Sequence, residues 1–79
     1  MSAFNTDGSG QEYVEIATGV ADERLRITFI PSPSYDERPA VRIQIRDAKG
    51  HLRQGPEVPV DILRHVEDAF GWSRLMARR

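Results

Sequence analysis

The stretch "AVRIQIRD", residues 40–47, decides the fold. Val41, Ile43 and Ile45 alternate in it with Arg42, Gln44 and Arg46. A period of two marks a strand, because successive strand side chains point to opposite faces. One face of this strand is aliphatic and the other carries two arginines. "RLRITFI" (24–30) repeats the design, setting Leu25, Ile27 and Phe29 against Arg24, Arg26 and Thr28. Two such strands define a sheet with an apolar side and an arginine side.

Working outward, "EYVEIAT" (12–18) reads as a further strand, with Val14 and Ile16 opposite Tyr13 and Glu15. "GVADE" (19–23) supplies turn formers. "PSPSYDERP" (31–39) contains three prolines, which cannot donate to a ladder, and reads as a loop. "AKGH" (48–51) predicts a tight turn with Gly50 free to take positive φ. "LRQGPEVPV" (52–60) returns as a short, interrupted strand, confined to an edge by Pro56 and Pro59. Asp61 is a fair N-cap for a helix. Behind it Ile62, Leu63, Val66, Ala69 and Phe70 recur at helical spacing. Trp72, Leu75 and Met76 continue the pattern past Gly71, which either ends the helix or weakens it. The expected layout is α+β: an antiparallel three- to four-stranded β-meander followed by one C-terminal α-helix that covers the apolar side. The small polar residues 1–10 are expected to form a flexible N-terminal tail, leaving 11–79 as a single small α+β domain.

The composition excludes several classes. A chain of 79 residues buries only about 60% of the surface it exposes when unfolded, so a homodimer is expected on size grounds. There is no cysteine, hence no disulfide framework and no thiolate metal site. His51 and His65 lack metal-ligand spacing, and neither a metal nor any other cofactor is expected. No secretory leader and no run of about 20 apolar residues is seen, which predicts a cytoplasmic protein. Nucleophile-elbow, phosphate-loop and dinucleotide motifs are missing, and His65 with Asp68 reads as a surface pair, so an enzyme is not expected.

The net charge of −1 hides an asymmetry. Residues 1–37 hold seven acids and two bases, residues 38–79 nine bases and five acids, and ten of the 11 bases are arginine. Arginine forks onto phosphates and carboxylates alike. Alternate strand side chains repeat at about 6.5–7 Å, close to the phosphate repeat of a nucleic-acid strand. Pairing the two arginine strands gathers Arg24, Arg26, Arg42 and Arg46. Three sources of counter-charge are open: a bound nucleic acid, an acidic protein partner, or the chain's own Glu15, Asp22, Glu23 and Asp47 in cross-strand ion pairs. Tyr13 shares a face with Glu15 and either stacks on bases or caps the sheet edge; Tyr35 is either exposed in its loop or staples it. "KGHLRQG" (49–55) adds Lys49, His51 and Arg53 between two glycines, as an anion contact or as an ordinary polar hairpin. Trp72 belongs to a core or to a dimer interface.

The run "VRIQIRDAKGHLRQGPEVPVDILRHV" resembles the Positive Cofactor Four family of transcriptional coactivators and their bacterial and phage relatives. Ile45-Arg46 matches the end of the family's strand, Gly50 and Gly55 its glycine spacing, and Arg53 a basic position between them. Val58 and Val60 match its arm, and Ile62 onward its helix. Pro56, Glu57 and Val58 stand where the family has a basic pair and a glycine. The resemblance covers about residues 24–70. It implies a homodimer made through the helices, with sheets that bind single-stranded DNA in transcription regulation. Arg24, Arg26, Arg42, Arg46, Lys49 and Arg53 would then contact phosphates. The alternative class is a small protein–protein interaction module, a regulator within a larger complex. It would meet its protein partner through Trp72, Leu75 and Met76 or through a sheet edge.

Overall fold

The computed structural model describes residues 5–32 and 37–79; Ser34 and Tyr35 of the proline loop lie outside the described residues. Five strands form one antiparallel sheet in chain order: β1 (Asn5–Thr6), β2 (Glu12–Ala17), β3 (Arg24–Ile30), β4 (Ala40–Arg46) and β5 (Glu57–Pro59). A single helix, α1 (Leu63–Ala77), follows. The α+β meander-then-helix layout read from the alternation is the one observed, with one strand more.

The extra strand is β1, inside the segment read as a flexible tail. Asn5 pairs with Tyr13 and Thr6 with Glu12. The turn behind it is tied by one side chain. The Asp7 carboxylate accepts the amides of Ser9 and Gln11, each at 2.9 Å, and Gly10 takes φ +82°. An aspartate that satisfies amides two and four residues on nucleates a turn without any apolar signal.

The second hairpin, between β4 and β5, is built the same way. Gly50 adopts φ +86°, and Asp47 accepts the amides of Lys49 at 3.0 Å and His51 at 2.9 Å. The chain then runs back along β4 as a strap. Leu52 bridges Arg46, the Arg53 amide bonds the Ile45 carbonyl at 2.8 Å, and the Ile43 amide bonds the Pro56 carbonyl at 3.0 Å. Gly55 is required by this approach, because a Cβ there would run into the Ile43 carbonyl oxygen. The glycine brings backbone against backbone.

Asp61 is not the helix N-cap. It sits inside a 3-10 turn, Val60–Ile62, and pairs with Arg38 at 3.5 Å. Helical backbone begins early because the Val60 amide is already bonded to the Pro39 carbonyl at 2.9 Å, at the end of the sheet. The N-cap position falls to Ile62, which offers no side-chain cap. Gly71 lies within α1, and the helix continues through it to Ala77.

The expectation that the helix covers the apolar side is not met. No residue of α1 is buried. Leu63 and Val66 are half-buried, and every later residue is exposed, Phe70 at 59%, Trp72 at 62% and Leu75 at 63%. The buried residues among those described are Arg26, Thr28, Ile30 and Ala40, and all four occupy the arginine side of the sheet. Thr28, 2% exposed, lies between Tyr13 and Arg42 in the ladder. A short side chain flanked by two long ones is shielded from both directions.

Candidate functional site

The ladder sets out the polar face in rows. Tyr13, Thr28 and Arg42 form one row, with Glu57 beside Arg42. Glu15, Arg26 and Gln44 form the next, and Ala17, Arg24 and Arg46 the last. The sheet therefore gathers Tyr13, Arg24, Arg26, Arg42 and Arg46 on one surface, as the alternation requires. Lys49 and Arg53 stand apart from it, exposed in the β4–β5 hairpin.

Most of the gathered charge is answered from within the chain. One carboxylate oxygen of Glu15 accepts Arg26 Nε at 2.8 Å and Arg46 Nε at 2.9 Å. The Arg26 guanidinium also lies over the Tyr13 ring, 3.8 Å from its centre, within the range of a cation–π contact. Burial works against the charge of Arg26, but hydrogen bonding and attraction from Tyr13 and Glu15 outweigh it and raise its pKa above the ordinary arginine value. Arg42 reaches Glu57 through Nε at 2.8 Å and Nη2 at 2.6 Å. Arg24 donates to the Glu23 backbone carbonyl at 2.9 Å, an uncharged acceptor. Among the described residues, three of the four guanidiniums on this face thus share two carboxylates, and Arg24 is answered by a backbone carbonyl.

Of the counter-ions read from the sequence, only Glu15 serves. Glu23 accepts the Thr18 hydroxyl at 2.6 Å instead, and Asp47 pairs with Arg53 at 3.1 Å within the hairpin. Amide hydrogen bonding from His51 and Lys49, with the nearby Arg53 charge, holds the Asp47 carboxyl below its usual range. Glu57 was not anticipated as a partner. The available signal was its place one residue before Val58, on the opposite side of a strand that returns against β4.

The other face is of a different kind. Its rows are Phe29, Val41 and Val58; Val14, Ile27 and Ile43; and Ile16, Leu25 and Ile45. None of these nine is buried, and Phe29 and Ile16 are 44% and 50% exposed. Among the described strand residues the one charge on this side is Glu12, at the rim. A hollow of about 260 Å³ opens between Val14, Ile27, Phe29 and Val41. At the start of α1 and along it, Ile62, Val66, Phe70 and Met76 share one broad side of the helix, about 120° wide, with Trp72 at its flank; Val66 is half-buried and the others are exposed. Among the described residues two apolar surfaces thus lack a cover, a sheet face and one side of the helix.

Among the described residues no group of side chains is placed to hold a metal, and no helix is long and apolar enough to cross a membrane. No family model, no curated protein and no solved structure matches the chain.

Proposed function

We propose that this chain is a small protein-interaction module whose working surface is the apolar sheet face together with the stripe of α1. The observation that carries the proposal is that nine aliphatic and aromatic side chains on one sheet face, none of them buried, have no covering layer among the described residues. A stable domain stacks at least two layers around its apolar face. Contiguous exposed apolar surface beyond a few hundred Å² marks an interaction site. No catalytic role and no cofactor belong to the proposal, and its setting is the cytoplasm. The test combines light scattering with the binding of a fluorescent apolar dye. A mass above 9.0 kDa, or a monomer that binds the dye, agrees with the proposal. A monomer that binds none contradicts it.

A second reading, binding of single-stranded nucleic acid on the polar face, is favoured by the ratio of four guanidiniums to two carboxylates there. The Positive Cofactor Four resemblance points the same way, to a transcription-associated role for Tyr13, Arg24, Arg26, Arg42, Arg46, Lys49 and Arg53. It ranks second because Glu15 and Glu57 already engage three of the four sheet arginines. Its test is fluorescence anisotropy with a labelled single strand of about 20 nucleotides. Binding that weakens steeply with salt and is lost in Arg42→Ala/Arg46→Ala supports it; no binding at low salt removes it.

A further inference from the structure

We infer that the far half of α1, residues 69–79, is a lipid-binding element that lies on an anionic membrane surface. The inference goes beyond the interaction reading. It leaves the sheet face to a protein partner and gives the exposed end of the helix a partner of its own. Three features of the molecule point to it.

The first is charge. From Ala69 onward the chain holds three arginines, Arg74, Arg78 and Arg79, and no acid. Glu67 and Asp68, the acids of the helix, both precede that stretch. Among the described residues these three guanidiniums form no ion pair with a carboxylate. The Arg79 guanidinium donates only to the Met76 sulfur, at 3.7 Å. The sheet differs, since Glu15 and Glu57 engage Arg26, Arg42 and Arg46 there. An arginine with no counter-ion inside the molecule is available to an anion outside it.

The second is the distribution of side chains around the helix. At 3.6 residues per turn, Trp72, Met76, Ala77 and Phe70 follow one another over an arc of about 160°. Arg74 borders that arc and Arg78 stands across from it. Phe70, Trp72, Leu75 and Met76 are all exposed. A helix with arginine on its polar side and tryptophan and phenylalanine on the other lies in the plane of a membrane interface, its apolar side sunk about 5–10 Å into the headgroup boundary. Long arginine side chains reach back from that depth to the phosphates. Tryptophan suits it too, having an apolar body and a polar N–H.

The third is placement. The helix leaves the sheet beside β5, where the Val60 amide bonds the Pro39 carbonyl, and every residue after Val66 is exposed. The β1–β2 hairpin, with Asp7 and Glu12, lies at the opposite edge of the sheet. The basic end of the molecule therefore meets an anionic surface while these acids are held away from it. The cytoplasmic leaflet of a membrane carries the negative potential required.

Trp72 is the one tryptophan of the sequence, so its fluorescence reports on this helix alone. The protein is titrated with vesicles of phosphatidylcholine and phosphatidylglycerol in equal parts, and with vesicles of phosphatidylcholine alone, at low and at high salt. The expected result is a shift of the Trp72 emission to shorter wavelength on the anionic vesicles, quenched by brominated acyl chains and weakened by salt. Arg74→Gln/Arg78→Gln/Arg79→Gln should lower the apparent affinity on the order of 100-fold, about fivefold per arginine, and Phe70→Ala should weaken it as well. These side chains are exposed, so the variants should keep the circular dichroism of the parent chain. Absence of a shift overturns the inference. So does equal binding to the uncharged vesicles, or a triple variant that binds like the parent. A shift produced by a single-stranded oligonucleotide and by neither vesicle makes the helix a nucleic-acid surface and likewise overturns it. Each of these failures leaves the sheet face, and with it the interaction reading, as it was.

Discussion

Ile27 and Thr28 are neighbours in β3, and they belong to opposite situations. Thr28 is 2% exposed although its face is rich in charge. Ile27 is only half-buried although its face is aliphatic. The polar face shields itself, because tyrosine and arginine are long and lie across the sheet. Its charges are held in the plane by Glu15 and Glu57. The apolar side chains have no long neighbour lying over them among the described residues, and all nine stay at least partly in water. A surface that is chemically finished needs nothing further. The surface that is not finished is the one the proposed partner would cover.

That contrast breaks first under charge reversal of character. Ile43→Glu puts a carboxylate at the centre of the apolar face. On a covered face it leaves an unpaired buried charge, costing about 3–5 kcal/mol, so the dissociation constant of the assembly should rise more than about 100-fold. On an open face it would be nearly neutral, within about 0.5 kcal/mol. Sedimentation over a concentration series separates the two.

Gly55→Ala strikes the strap that delivers Glu57 to Arg42. The added methyl has no room against the Ile43 carbonyl, and a loss of about 1–3 kcal/mol is expected in denaturant unfolding. Glu15→Gln acts on the polar face alone. It removes the charge shared by Arg26 and Arg46, and should cost about 1–3 kcal/mol, or roughly 4–8 °C of Tm per kcal/mol, with the assembly mass unchanged.

The smallest effect is a pH dependence from the hairpin. The Asp47 carboxyl is held below its ordinary 3.8 in the folded chain, so its contribution to stability is complete above the unfolded value. It is lost as pH falls through the lower folded value. Asp47→Asn should therefore flatten the fall of Tm with acidification in the range just below 3.8 and leave Tm's pH dependence near neutrality as it was.

The sheet was legible in the sequence because alternation is local. Each of β2, β3 and β4 announces its two faces, and the glycine and prolines around them place the turns. β1 was hidden, since two residues tied by an aspartate turn carry no pattern. The location of the buried positions was also hidden. The pattern marks which side chains avoid water, but whether anything covers them depends on where the helix goes, and that is set by the backbone bond between Val60 and Pro39. The arginine cluster itself followed from strand pairing. Its neutralisation by Glu57 did not, because a three-residue strand broken by prolines gives no register.

The most direct measurement is methyl NMR with a soluble paramagnetic agent, observing the isoleucines. Ile30 is 3% exposed and Ile16 is 50% exposed, so they calibrate the scale within one molecule. A covered apolar face predicts that the Ile27 and Ile43 methyls are protected to nearly the level of Ile30, and that dilution releases them. Relaxation of Ile27 and Ile43 as free as that of Ile16, unchanged at every concentration, would contradict the account.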